Sequence, residues 1–147
     1  MEQNRFDVRQ AKVHRTLGGT LAEALCMVLV VANWALLVPT VRSEDGITGK
    51  LVGNVVGTLA ALVLLVCAYF PKQINKTYKL TTLRQMWLAV WFCRVMGVEI
   101  CALFLLLTVF SHLGIIEPDW LFGGVVGVTT FAFGILFERA KAPGTED

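Results

Sequence analysis

Four long apolar stretches, each free or nearly free of charge, constrain this chain more than any other feature of its sequence. A helix rises about 1.5 Å per residue and the hydrocarbon core of a bilayer is about 30 Å thick, so roughly 17 to 25 apolar residues cross it once. Stretches 17–38, 51–70, 86–110 and 120–137 all fall in that range. Only 16% of the 147 residues are charged, against about a quarter in a soluble domain, and the mean hydropathy is +0.66. These features exclude an ordinary soluble globular domain. The expected fold is an all-α membrane protein in which one domain, residues 1–147, holds four transmembrane helices in a compact bundle.

The connections carry the punctuation. Residues Asn4 to Thr16 are polar and basic, with Phe6, Val13 and Leu17 near one face, which predicts a short N-terminal interfacial helix leading into span one. Pro39 is expected to mark the end of that span. Residues 40–50, with Arg42, Glu44, Asp45, Gly46, Gly49 and Lys50, read as a turn-rich loop. The second loop, from Lys72 to Arg84, is basic without an acid, and the third holds Glu117 and Asp119 without a base.

Lys and Arg number ten on the side of the termini and second loop, against two on the other side. The positive-inside rule therefore predicts cytoplasmic termini in a bacterial cytoplasmic membrane, with loops one and three facing outward. Trp120, Tyr69, Tyr78 and Trp87 stand near span ends, where amphipathic rings favour the headgroup region.

Helices in lipid gain little from the hydrophobic effect on meeting, so they rely on close approach across small residues. Gly53, Gly57 and Ala61 on span two predict such a packing stripe, as does Gly97 with Ala89, Cys93 and Cys101 on span three, and Gly123, Gly127 and Gly134 on span four. Packing within the chain is the first reading of these stripes, and a homodimer seam on span two or four is the alternative.

Glu23, Arg94 and Glu99 are costly in a bilayer, at about 2.5 to 3.5 kcal/mol each if unpaired at its centre. Glu23 and Arg94 lie about 9 and 12 Å in from the same surface, which predicts an ion pair that fixes helix register. Glu99 is about 140° around the helix from Arg94 and cannot easily share it. It is expected either to be neutral and hydrogen-bonded or to face a hydrated cavity, which makes it the candidate ion site of an alternative transport reading. Asn33 and Asn54 stand at similar depth on spans one and two, with an interhelical hydrogen bond as the default.

No metal site is expected, because His14 and His112 stand near opposite surfaces without a second ligand at suitable spacing. Cys26, Cys67, Cys93 and Cys101 fall inside apolar runs without a Cys-x-x-Cys pair, and read as small buried hydrophobes. That spacing argues against a quinone-linked thiol enzyme. A net charge of +2 gives no reason to expect nucleic acid. With no nucleophile–base pair visible, neither catalysis nor a cofactor is expected.

From Val38-Pro39-Thr40 through Asp45-Gly46 and Lys50 to Tyr69-Phe70-Pro71 and Asn75, the pattern resembles the membrane domain of SdpI-type bacterial immunity proteins. The resemblance covers about residues 32–75. The loop departs from it in lacking the His and aromatic residues that usually stand between the Pro and the Asp-Gly. It implies an inner-membrane protein that protects against, or senses, a membrane-active toxin or peptide, with Pro39, Asp45, Gly46 and Lys50 shaping the outward loop. The expected function is therefore a non-catalytic membrane protein of immunity, sensing or accessory type. Its partners would be the lipid bilayer and a membrane protein or membrane-active peptide. An oligomeric transporter using Glu99 and a structural subunit of a larger membrane complex are the alternatives.

Overall fold

The computed structural model describes residues 13, 16–41, 47–70, 74, 80, 82–116, 118 and 120–141. Among the described residues the protein is all-helical, with α1 Leu17–Val41, α2 Ile47–Cys67, α3 Leu83–Leu113 and α4 Trp120–Arg139. All four are long and apolar enough to cross a membrane, with mean hydropathies of 1.9 to 2.2. Large apolar side chains such as Leu21, Val28, Val56, Val63 and Phe131 are exposed along these helices. Water would not tolerate so continuous an apolar exterior, whereas lipid solvates it at no cost. The chain is a multi-pass membrane protein.

Helix ends follow their local chemistry. Thr16 Oγ1 accepts from Gly19 N at 3.1 Å and caps α1, and Thr82 caps α3 by accepting from Gln85 N at 3.1 Å. Gly114, at φ 67°, closes α3 in the left-handed conformation that only glycine adopts without strain.

Six helix ends differ from the sequence reading. Pro39 lies inside α1, which continues to Val41. So close to the helix end a proline forfeits one hydrogen bond without interrupting a long ladder. Helix α2 starts at Ile47, so Lys50 belongs to its first turn and not to a loop, and it ends at Cys67. Tyr69 and Phe70 follow in tight turns, bonded to Val66 O and Cys67 O. Helix α3 has 31 residues, six more than the apolar stretch, because Arg84, Gln85, Ser111 and His112 carry the helix on to headgroup depth. Helix α4 runs two residues past 137, to Arg139. The interfacial helix read over residues 4–16 lies outside the described residues except at Val13 and Thr16, as do Asp45, Gly46 and the orientation-setting parts of the loops.

Helix α3 is the hub. It packs against α1, α2 and α4, α1 also touches α2, and among the described helices α4 meets α3 alone. Contacts between α1 and α3 pair residues in ascending order, Cys26 with Cys101 and Asn33 with Thr108, so these helices are parallel. Helix α4 runs antiparallel to α3, since Phe104 meets Phe122, Glu99 meets Thr129 and Phe92 meets Phe133.

The sequence stripes have unequal fates. On α2 and α3 they meet: a Cβ on Gly97 would stand 3.4 Å from Ala61 O, Ala61 is wholly buried, and Gly57 lies against the Phe104 ring. Gly53 makes looser contact with the same ring, at 3.9 Å. On α4 a Cβ at Gly123, Gly127 or Gly134 would meet nothing within 4 Å, so among the described residues these glycines seat no helix. At this span α4 holds to α3 through its aromatic side and leaves these three glycines outward.

Candidate functional site

The α1–α3 seam is a ladder of three rungs. Gly19, Cys26 and Asn33 recur every seven residues on α1 and are all buried. Arg94, Cys101 and Thr108 do the same on α3. Each α1 residue meets the α3 residue 75 positions later in the chain. A seven-residue repeat keeps one face in register when helices wrap around each other at a shallow left-handed angle. Two of the three rungs are polar or charged, and they form separate clusters toward opposite ends of the bundle.

The cluster at the Gly19–Arg94 rung is charged. Arg94 is the largest fully buried side chain, at 0% exposure, and fits because Gly19 has no side chain: a Cβ there would stand 2.5 Å from Arg94 Cζ. The adjacent Gly18 makes the same room for Trp91. The guanidinium lies 5.5 Å from the Tyr69 ring centroid and 5.8 Å from that of Trp91. Both separations suit a cation over an aromatic face. Glu23 Oε1 is 3.9 Å from Arg94 Nη2, without a hydrogen bond between them, while the Tyr69 hydroxyl donates to that same oxygen. Arg94 Nε, Nη1 and Nη2 are buried without a hydrogen-bond acceptor.

The cluster at the Asn33–Thr108 rung is neutral and closely bonded. Asn33 Nδ2 donates to Asn54 Oδ1 at 2.5 Å, and Asn54 Nδ2 donates to Lys50 O at 2.9 Å. The Thr108 hydroxyl lies 2.6 Å from Asn33 Oδ1 and 2.9 Å from Phe104 O, two acceptors for one proton. Nearby, Trp34 Nε1 donates to Thr58 Oγ1 at 3.2 Å and Lys50 Nζ to Ser111 Oγ at 2.7 Å. A cleft of about 160 Å³ opens beside Lys50 and Ser111 over Leu37, Phe104 and Leu107.

Glu99 faces neither cluster. It lies in the α3–α4 seam, where Thr129 Oγ1 donates to Oε1 at 2.9 Å and Oε2 is buried without a hydrogen-bond partner. Edge-to-face ring pairs, Phe92–Phe133 at 5.2 Å and Phe104–Phe122 at 5.8 Å, flank it on either side. Near the end of α4, Thr82 Oγ1 donates to Ala140 O at 2.8 Å and Gln85 Nε2 to Phe137 O at 3.4 Å. Helix α4 is thus fastened along one line and contributes no buried residue.

The structure brings Glu23 and Arg94 to one cluster and sets Glu99 apart. Pro39 is exposed at the end of α1, and Lys50 bridges the start of α2 to the end of α3. Sequence reasoning missed Tyr69 as partner to Glu23, Thr108 as the third member of the Asn cluster and Thr129 as donor to Glu99. The seven-residue recurrence of 94, 101 and 108 was the available signal for Thr108. Nothing comparable marks Tyr69 or Thr129.

Among the described residues no group of three or more His, Cys, Asp or Glu side chains is placed to hold a metal ion. All four cysteines are free thiols. Compared with known proteins, the chain matches no family model, no curated protein and no solved structure.

Proposed function

We propose that this chain is a non-catalytic protein of the bacterial cytoplasmic membrane, of immunity, sensing or accessory type, that binds another membrane component across the uncovered face of α4. The observation that carries the reading is the contrast on that helix between a fastened aromatic line and open glycines at 123, 127 and 134. In lipid an open glycine face admits another helix at close range, and the partner is a membrane protein, a membrane-active peptide or a second copy of this chain. The distribution of Lys and Arg supports cytoplasmic termini. The resemblance of Pro39, Asp45, Gly46 and Lys50 to the immunity-type pattern supports the choice of class. Within this reading Glu23 and Arg94 form an ion pair whose role is to hold α1 and α3 in register.

Cysteine cross-linking tests the proposal. Gly127→Cys in native membranes should cross-link to a protein partner or to itself, and Gly123→Leu together with Gly127→Leu should abolish that product. If Gly127→Cys is reached only by lipid-soluble probes and the double substitution changes no co-purifying species, the reading fails.

One observation favours the transport alternative, in which several copies assemble a proton-coupled path through Glu99: its Oε2 is buried without a partner. Proton flux into liposomes that vanishes in Glu99→Gln would establish it.

A further inference from the structure

The middle rung of the α1–α3 ladder is a pair of thiols in direct contact. Cys26 Sγ and Cys101 Sγ are 3.1 Å apart, with Cys26 0% and Cys101 4% exposed. They sit in an apolar cluster with Ala61 and Leu65, and Cys26 Sγ lies 3.8 Å from Gly97 O. The rungs at Gly19–Arg94 and Asn33–Thr108 stand two helical turns away on either side, so neither helix can slide or rotate to separate the sulfurs without breaking them. The other two cysteines make a contrast. Cys67 packs against the cluster that contains Cys93, again between α3 and a neighbour, but no hydrogen bond joins their sulfurs as one joins those of Cys26 and Cys101.

We infer that Cys26 and Cys101 are an intramembrane oxidation site, converted to an α1–α3 disulfide by an organic hydroperoxide dissolved in the bilayer. One thiol attacks the peroxide: a sulfur–oxygen bond forms, the oxygen–oxygen bond breaks, and the alcohol leaves with the thiol proton. The touching thiol then attacks the sulfenic sulfur; the sulfur–sulfur bond forms, the sulfur–oxygen bond breaks, and water leaves with the second proton. Two thiols and one hydroperoxide thus give one disulfide, one alcohol and one water.

Burial slows the first step, because the reactive thiolate is disfavoured away from water. Contact governs the second step, since a partner already in place captures the sulfenic acid before further oxidation. The product is neutral, as the two thiols were, so the conversion places no charge in hydrocarbon.

The test treats the full chain in native membranes with cumene hydroperoxide, then unfolds it and blocks free thiols with N-ethylmaleimide. The expected intact mass shows two hydrogens lost and two maleimides added, where the untreated chain takes four, one per free cysteine. Peptide mapping should place the bond at Cys26–Cys101 and not at Cys67–Cys93. Cys67→Ser should oxidise like the parent, and Cys101→Ser should carry Cys26 on to sulfinic acid. Four maleimides at doses that oxidise Met27, or a bond mapped to any other pair, overturns the inference. The mapping needs no variant, so a substitution that fails to fold leaves the test intact.

Discussion

The Glu23–Arg94 cluster and the Asn33–Asn54–Thr108 cluster are built on the same three-helix neighbourhood, toward opposite ends of the α1–α3 seam, and they solve the cost of polarity in lipid differently. At the Asn cluster every member is neutral and the hydrogen bonds close on one another and on backbone carbonyls. At the Arg94 cluster a full charge is held by a carboxylate 3.9 Å away and two aromatic faces, and none of the guanidinium nitrogens has an acceptor. A neutral network loses only a bond or two when one member is removed. A buried charge loses its counter-charge, so the two clusters should respond very differently to substitution.

The largest effect expected is at Glu23. Glu23→Ala strands the Arg94 charge and should cost about 3–5 kcal/mol, while adding Arg94→Met should recover much of that loss. Reversible unfolding in mixed micelles measures both, and equal stability of the single and double variants would break the contrast between clusters. Next comes Gly19→Val, which places a side chain where the Arg94 guanidinium lies and should cost about 1–3 kcal/mol. The same substitution at Gly127 meets open space and should stay within about 0.5 kcal/mol.

At the neutral cluster Asn33→Leu removes one partner each from Asn54 and Thr108 and should cost about 1–2 kcal/mol. A loss there as large as that of Glu23→Ala would mean that the charge on Arg94 is not what distinguishes the two sites. The smallest effect expected is for Thr129→Val, which removes the one hydrogen bond given to Glu99 and should cost about 0.6 kcal/mol, read in the same titration.

The helices and the burdened residues were legible because lipid makes both conspicuous: a span needs a long apolar run, and a charge inside one stands out against it. Boundaries were less legible. Pro39 and Lys50 were read as end and loop, because residues at headgroup depth are polar whether or not the backbone stays helical. The packing stripes were legible as patterns but not as contacts. Gly57 and Gly97 meet protein and Gly127 does not, although all three share the same spacing motif. The hydropathies of α3 and α4, 2.1 and 1.9, do not foretell that one is the hub and the other contributes no fully buried residue.

Sequence alone determined that this chain holds four stretches long and apolar enough to cross a bilayer and that Glu23, Arg94 and Glu99 need company there, since insertion cost depends on residue type and depth. Tertiary structure alone decided which company each keeps: Tyr69 beside Glu23, Gly19 yielding room to Arg94, Thr129 bonded to Glu99, and Cys26 touching Cys101. Those pairings depend on the crossing and register of helices far apart in the chain. Where every surface is apolar, only the fit of one helix against another selects them.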